Sequence, residues 1–290
     1  MEKLVLGLPA GSLQQATMDI FKKAGFNIYV HDRSYFPYID DEEIECILIR
    51  AQEIPRYVQG GVLDAGISGK DWITETKADV LEVAEFRYSR QGMRPVKLVL
   101  AVPDNSPIKS VKDLQGKKIA TELVEVTKQF LHKHNIQAAV EFSWGATEVK
   151  PPVLVDAIAE LTETGRSLKA NNLRIIETVL ESTPRFIVNR ESWQVQWKKN
   201  KIEQIVTLLQ GAMLAEEKVG LKMNIHKENL QRVLSLLPAL RKPTISALQD
   251  ESWVAVETVI DEKMVRDLVY KLKEAGAEGI IEYSLNKIIP

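Results

Sequence analysis

Apolar and polar positions recur in two rhythms along the 290-residue chain, and the changes of rhythm mark out its elements. Leu4–Leu8 is an apolar run of strand length; beyond Gly11-Ser12, Leu13, Ala16, Ile20, Phe21 and Ala24 recur at helical spacing until Gly25 stops the helix. Ile44–Ile49 reads as a buried strand that delivers Arg50 at its end, Ile54–Gln59 as a short helix closed by Gly60-Gly61, and Leu63–Ile67 as a strand opening onto Ser68-Gly69-Lys70-Asp71. A second block begins near Val96, with strands expected at Lys97–Val102, Lys118–Thr121, Ala138–Phe142 and Leu154–Leu161 and helices at Val111–Leu114 and Val126–His134. Arg185–Val188, after Ser182-Thr183-Pro184, is expected to return to the first block. The alternation predicts an α/β protein with largely parallel sheets, in two lobes joined by two crossings around a cleft. Ligands of such sheets collect beyond the carboxyl ends of strands, where Gly11-Ser12, Arg50 and Ser68–Asp71 fall.

After an amphipathic helix at Ile202–Glu217 the pattern changes at Gly220. Strands at Leu221–Ile225, Thr244–Leu248, Trp253–Val259 and Gly279–Leu285, with helices at Lys227–Leu237 and Glu262–Ala275, form a βαββαβ series, which fits a ferredoxin-like domain. The expected domains are lobe I from 1–95 with 184–215, lobe II from 96–183, and the ferredoxin-like domain from 216–290.

Composition narrows the class. With 45% hydrophobic residues, 27% charged and a net charge of −2, the chain reads as an ordinary globular protein with no electrostatic case for nucleic acid as a partner. No apolar run reaches membrane-spanning length, and MEKLVLGLPAGSL reads as a first strand, so no membrane partner and a cytoplasmic location are expected. Cys46, in its apolar strand, reads as a buried inert thiol. The four histidines, His31, His132, His134 and His226, lack metal-ligand spacing, and neither a GxSxG elbow nor a GxxxxGK[ST] loop occurs.

What remains is Leu154–Asn172, where an apolar run carrying Asp156 and Glu160 feeds into Thr162-Glu163-Thr164-Gly165-Arg166-Ser167. Hydroxyls and main-chain N–H groups around a glycine can wrap a phosphate, and a carboxylate upstream can accept from ribose diols and favour an oxocarbenium-like centre. The same residues also suit an ordinary strand end and turn.

The whole chain resembles the long form of the ATP phosphoribosyltransferase family, the first enzyme of histidine biosynthesis. The resemblance is carried by Leu8-Pro9-Ala10-Gly11-Ser12-Leu13, Arg50 with Ile54-Pro55-Arg56-Tyr57-Val58, Asp64–Asp71, Gly145–Glu148, the Asp156–Leu168 loop, Ala170–Arg174, Arg241-Lys242-Pro243-Thr244-Ile245 and Trp253-Val254-Ala255, in family order. It implies a periplasmic-binding-protein-like two-lobed catalytic core with a C-terminal ferredoxin-like regulatory domain. It also implies transfer of 5-phosphoribosyl from phosphoribosyl pyrophosphate to N1 of ATP, with release of pyrophosphate and with Mg²⁺ carried by the substrate rather than by protein ligands.

Carried over residue by residue, Thr162, Glu163, Thr164, Gly165, Arg166 and Ser167 would hold the 5-phosphate, with Asp156 and Glu160 facing the ribose. Gly11, Ser12, Arg50 and Asp71 would form the facing wall for ATP or pyrophosphate. Histidine as feedback inhibitor would meet Asn224, Leu240, Thr244, Val259 and Gly279, and the family pattern is a homo-oligomer of dimers assembling into hexamers.

The sequence departs from the family at three places. Ala10 replaces a basic or amide residue, Glu163 stands where a small hydroxyl residue is common, and the segment between Glu148 and Asp156 is shorter, with Pro151-Pro152-Val153 in place of a customary glycine. Two other readings suit the same outline: a two-lobed small-molecule-binding protein without catalysis, and a ligand-responsive interaction protein.

Overall fold

The computed structural model describes residues 2–31, 34–88, 95–238 and 243–289. The chain begins with β1 (Leu4–Ala10), α1 (Gln14–Ala24), the antiparallel pair β2 (Ile28–Tyr29) and β3 (Tyr38–Ile39), β4 (Ile44–Arg50), α2 (Ile54–Gln59), β5 (Ala65–Gly69), α3 (Lys70–Thr76) and β6 (Leu81–Glu85). It continues with β7 (Val96–Pro103), β8 (Lys118–Thr121), α4 (Val124–Lys133), β9 (Ala139–Phe142), β10 (Ala157–Thr162), α5 (Arg166–Ala170), β11 (Leu173–Ser182) and β12 (Pro184–Val188). The closing elements are α6 (Gln196–Glu216), β13 (Lys218–His226), α7 (Leu230–Leu234), β14 (Thr244–Ala247), β15 (Trp253–Asp261), α8 (Glu262–Glu274) and β16 (Ala277–Ser284).

The first sheet has the order β4-β1-β5-β12-β6 and the second β11-β7-β10-β8-β9. In each sheet one strand runs against the rest: β12 pairs antiparallel with β5 and β6, and β7 pairs antiparallel with β10 and β11. These are the strands by which the chain enters each sheet from the other. A chain leaving one sheet at its carboxyl end reaches the second at the corresponding end, and must then run backwards through it. Both crossings therefore lie on the cleft side, where the parallel strands end.

β1 shows why the sequence reads as one apolar run. Leu4, Leu6 and Leu8 are fully buried, and Gly7 and Pro9 on the other face are buried as well, as expected of a strand covered on both faces. Each such leucine contributes about 1.5–3 kcal/mol by leaving water. The second sheet buries Leu98, Leu100 and Val102 of β7 with Ala157 and Ala159 of β10 beneath Val126 and Leu131 of α4.

Several expected elements differ in extent. β10 starts at Ala157, so Leu154 stands exposed before it, and α6 starts at Gln196. The expected Lys227–Leu237 helix is a 3₁₀ turn at Lys227–Asn229 followed by the short α7.

The two sheets form one compact unit, running to Lys22 and from Phe26 to Val206; a second comprises Lys23–Gly25 and Thr207 onward. The units part within α6, while the expected boundary at 215/216 lies further along the same helix. In the second unit the order β14-β15-β13-β16, with every pairing antiparallel, is the ferredoxin-like arrangement. Its core joins Leu221, Met223 and Val256 of the sheet to Val233 of α7 and Leu268 and Leu272 of α8.

Candidate active site

The cleft between the two lobes has a volume of about 520 Å³, and strand ends build its walls. Lobe I contributes Ala10 and Ser12 after β1, Arg50 at the end of β4, and Gly69 with Asp71 at the β5–α3 junction. Lobe II contributes Thr162, Glu163, Thr164, Arg166 and Ser167, and the second crossing contributes Ser182, Thr183 and Pro184. Arg50 and Arg166 thus face one cavity from opposite lobes, and among the described residues neither is paired with a carboxylate. Two such guanidiniums make the cavity suited to an anion with more than one charged group.

The loop after β10 is shaped by its own side chains. Gly165 has a φ of 71°, a left-handed conformation that glycine adopts without steric cost, and its N–H donates to Thr162 Oγ1 at 2.8 Å. Ser167 Oγ donates to a carboxylate oxygen of Glu148, tying the loop to the segment after β9. Gly11 has a φ of 98°, and a Cβ there would lie 2.9 Å from Arg50 Nη1, so the turn after β1 leaves room for that guanidinium.

Asp71 is 6% exposed, its Oδ1 accepts from Ser182 Oγ at 2.6 Å, and Ser182 Oγ accepts from the Asp71 N–H at 3.0 Å. Burial raises its pKa, against the lowering effect of the Ser182 bond. Asp71 therefore joins α3 of lobe I to the end of β11 in lobe II.

The two acids expected at the ribose part company. Asp156 lies just before β10, at the far end of that strand from the loop; its Oδ2 accepts from the Lys118 N–H at 2.8 Å and its Oδ1 lies 3.5 Å from Lys117 Nζ. The expectation that it faces the ribose is corrected: residues 157–161 of the strand separate it from Thr162, where the loop begins, about 20 Å of extended chain. Glu160, near the loop end of β10, projects to the side of the strand opposite Leu161; Leu161 lines the cleft, whereas Glu160 lies outside that lining and bonds Thr147. Burial first, then the nearby charges of Glu148 and Glu122, push its pKa from the ordinary 4.5 up to about 7, against the Thr147 bond. Burial also raises Glu122.

Sequence reasoning did not single out Glu122, Glu148, Thr147 or Ser182 as site residues. Thr147 and Glu148 lay within the quoted Gly145–Glu148 segment, which was their one signal; Glu122 and Ser182 are brought in by pairing between distant strands. Among the described residues no group of three or more His, Cys, Asp or Glu is placed to hold a metal ion.

In the second unit, Asn224, Thr244 and Val259 share the sheet face opposite the core, since Thr244 pairs with Glu257, Glu257 with Lys222, and Val259 with Gly220. Gly279 adjoins Asn224: a Cβ there would lie 3.7 Å from Asn224 Nδ2. Leu240 lies outside the described residues.

Residues 50–211 match the family model described as HisG, ATP phosphoribosyltransferase, and residues 215–287 match HisG, C-terminal domain. An ATP phosphoribosyltransferase from Thermodesulfovibrio yellowstonii is 63% identical over 287 residues, covering 99% of this chain and 98% of the relative. One from Chlorobaculum parvum is 60% identical over 286 residues, covering 99% and 97%. The solved ATP phosphoribosyl transferase (HisG:HisZ) complex from Thermotoga maritima superposes with a TM-score of 0.60 at 27% identity, over 71% of this chain and 98% of that one.

Proposed function

The chain belongs to the ATP phosphoribosyltransferase family, and on that premise we propose that its cleft joins the 5-phosphoribosyl group of phosphoribosyl pyrophosphate to N1 of ATP. The observation that carries the site assignment is the convergence of the Thr162–Ser167 loop, Arg166 and Arg50 on one cavity. The loop takes the 5-phosphate, through its hydroxyls, its main-chain N–H groups and Arg166. Arg50, Ser12 and Gly11 face the pyrophosphate and the nucleotide from lobe I, with Asp71 holding the seam beside them.

In the reaction the bond between the anomeric carbon and pyrophosphate breaks, its electron pair leaving with pyrophosphate, and the lone pair of N1 forms the new bond. Positive charge grows on the ribose between these events. Glu160, with Glu148 beside it at the loop, offers that charge a carboxylate on a rigid strand, so orientation and electrostatics supply the catalysis without a covalent nucleophile. Mg²⁺, carried by the substrate phosphates rather than by protein ligands, would screen their charge. Glu163 lines the cleft within the Thr162–Ser167 loop.

The ferredoxin-like unit is the place for histidine as feedback inhibitor, on the face bearing Asn224, Thr244, Val259 and Gly279, and for assembly of dimers into hexamers; the solved complex of the Thermotoga maritima relative supports association in this family. A cytoplasmic location accords with both substrates. Purified protein given ATP, phosphoribosyl pyrophosphate and Mg²⁺ should release pyrophosphate only when both substrates are present. Folded protein that shows no such release contradicts the assignment, and leaves small-molecule binding without catalysis.

A further inference from the structure

The segment between β9 and β10 carries a buried hydrogen-bond chain that the reaction outlined above does not use. Lys150 Nζ donates to Ser143 Oγ at 2.7 Å, Ser143 Oγ and Thr147 Oγ1 are 2.9 Å apart, and Thr147 bonds the Glu160 carboxyl. Ser143 and Thr147 are 0% and 1% exposed, so bulk water does not compete for either hydroxyl. Lys150 itself lies in the shortened segment where the sequence departs from its family.

The cation fixes the direction of the chain. An ammonium has only donors, so Ser143 accepts from Lys150 and must send its own proton onward. The Gly145 carbonyl lies at 3.5 Å and the Thr147 oxygen at 2.9 Å, so the proton goes to Thr147. Thr147, now accepting, has its proton for Glu160. Without the cation the hydroxyl pair can reverse: Thr147 donates to Ser143, and Glu160 keeps a proton with which to donate to Thr147.

Glu160 depends on such a donor. Burial, Glu148 from the segment after β9 and Glu122 from the β8–α4 turn all favour its neutral form, and Ser167 Oγ is committed to Glu148. We propose that Lys150 is a positioning residue which, through Ser143 and Thr147, orients this relay so that Glu160 stands as a carboxylate behind the phosphate loop. What Glu160 then does for the ribose rests on the function proposed above; how it titrates does not.

The test is an NMR titration of the full chain with ¹³C-labelled glutamate carboxyls, the Glu160 resonance being identified by its loss in Glu160→Gln. Lys150→Met, which lets the hydroxyl pair reverse, and Thr147→Val, which removes the donor, should each raise the Glu160 midpoint by about half a pH unit or more, while Lys150→Arg, which keeps the cation, leaves it near the parent value. The acid limb of kcat should move with the midpoint, with a smaller change in KM for phosphoribosyl pyrophosphate. An unmoved midpoint in folded Lys150→Met protein overturns the relay; if that variant does not fold, Lys150→Ala carries the same decision. A midpoint that moves while the kcat limb stays fixed overturns the part of Glu160, and so of Lys150, in turnover.

Discussion

Glu160 is held where its charge is costly, and that cost is measurable as stability. Because the folded chain binds the proton more tightly than the unfolded one, stability falls as pH rises from the ordinary 4.5 to about 7 and stays lower above it. Glu160→Gln, which removes the charge but keeps an acceptor for Thr147, should therefore stabilise the protein by about 1–3 kcal/mol at pH 8, the gain vanishing near pH 4. Urea denaturation at the two pH values checks this, and an equal effect at both contradicts it. Gly69 makes the second case at this scale. A Cβ there would lie 2.0 Å from Asp71 Oδ1, so Gly69→Ala must displace a buried carboxylate from Ser182. A loss of about 1–3 kcal/mol is expected, with a raised KM for ATP, from thermal melts and steady-state kinetics.

At the scale of elements, α4 takes its N-terminal cap from the other lobe. Its N-cap residue, Leu123, makes no side-chain bond, whereas Glu75 at the end of α3 accepts from the Glu125 N–H at 3.1 Å and the Val126 N–H at 3.0 Å. Lys77 Nζ adds an ion pair to Glu125 at 2.7 Å. A negative group over free N–H groups at a helix start contributes about 1 kcal/mol. Glu75→Ala should lower stability by roughly that amount. It should also raise KM for phosphoribosyl pyrophosphate more than it lowers kcat, because the bond joins the lobes. Lys77→Met, which removes an exposed pair, should change little beyond about 0.5 kcal/mol.

Which elements were legible follows from how locally each is encoded. β1 and β4 announce themselves as unbroken apolar runs. β11 does not, because irregularities at Ile175/Glu177 and Thr178/Leu180 break its period of two. The loop was readable from its glycine and hydroxyls. Asp156 and Glu160 looked equivalent, since both are acids on the same strand run, and only the start of β10 and its pairing with β8 send Asp156 to the far end. The relay from Lys150 to Glu160 joins residues on two sides of a loop and has no sequence period.

At the scale of the whole molecule, the catalytic and ferredoxin-like units should be separable in function. Thr244→Ala should leave turnover without histidine intact and weaken inhibition by histidine several-fold, measured as the inhibitor concentration that halves the rate. Unchanged inhibition, or no inhibition of the parent protein, would contradict the assignment of that face to histidine. The central claim is the joining of two substrates in the cleft of the first unit. Its most direct measurement supplies ATP with phosphoribosyl pyrophosphate carrying ¹³C at the anomeric carbon, and reads the product by mass spectrometry and NMR. The account predicts a nucleotide heavier than ATP by one phosphoribosyl group, with the labelled carbon bonded to N1 of the adenine. Labelled ribose 5-phosphate alone, or a label attached anywhere but the adenine, would contradict it.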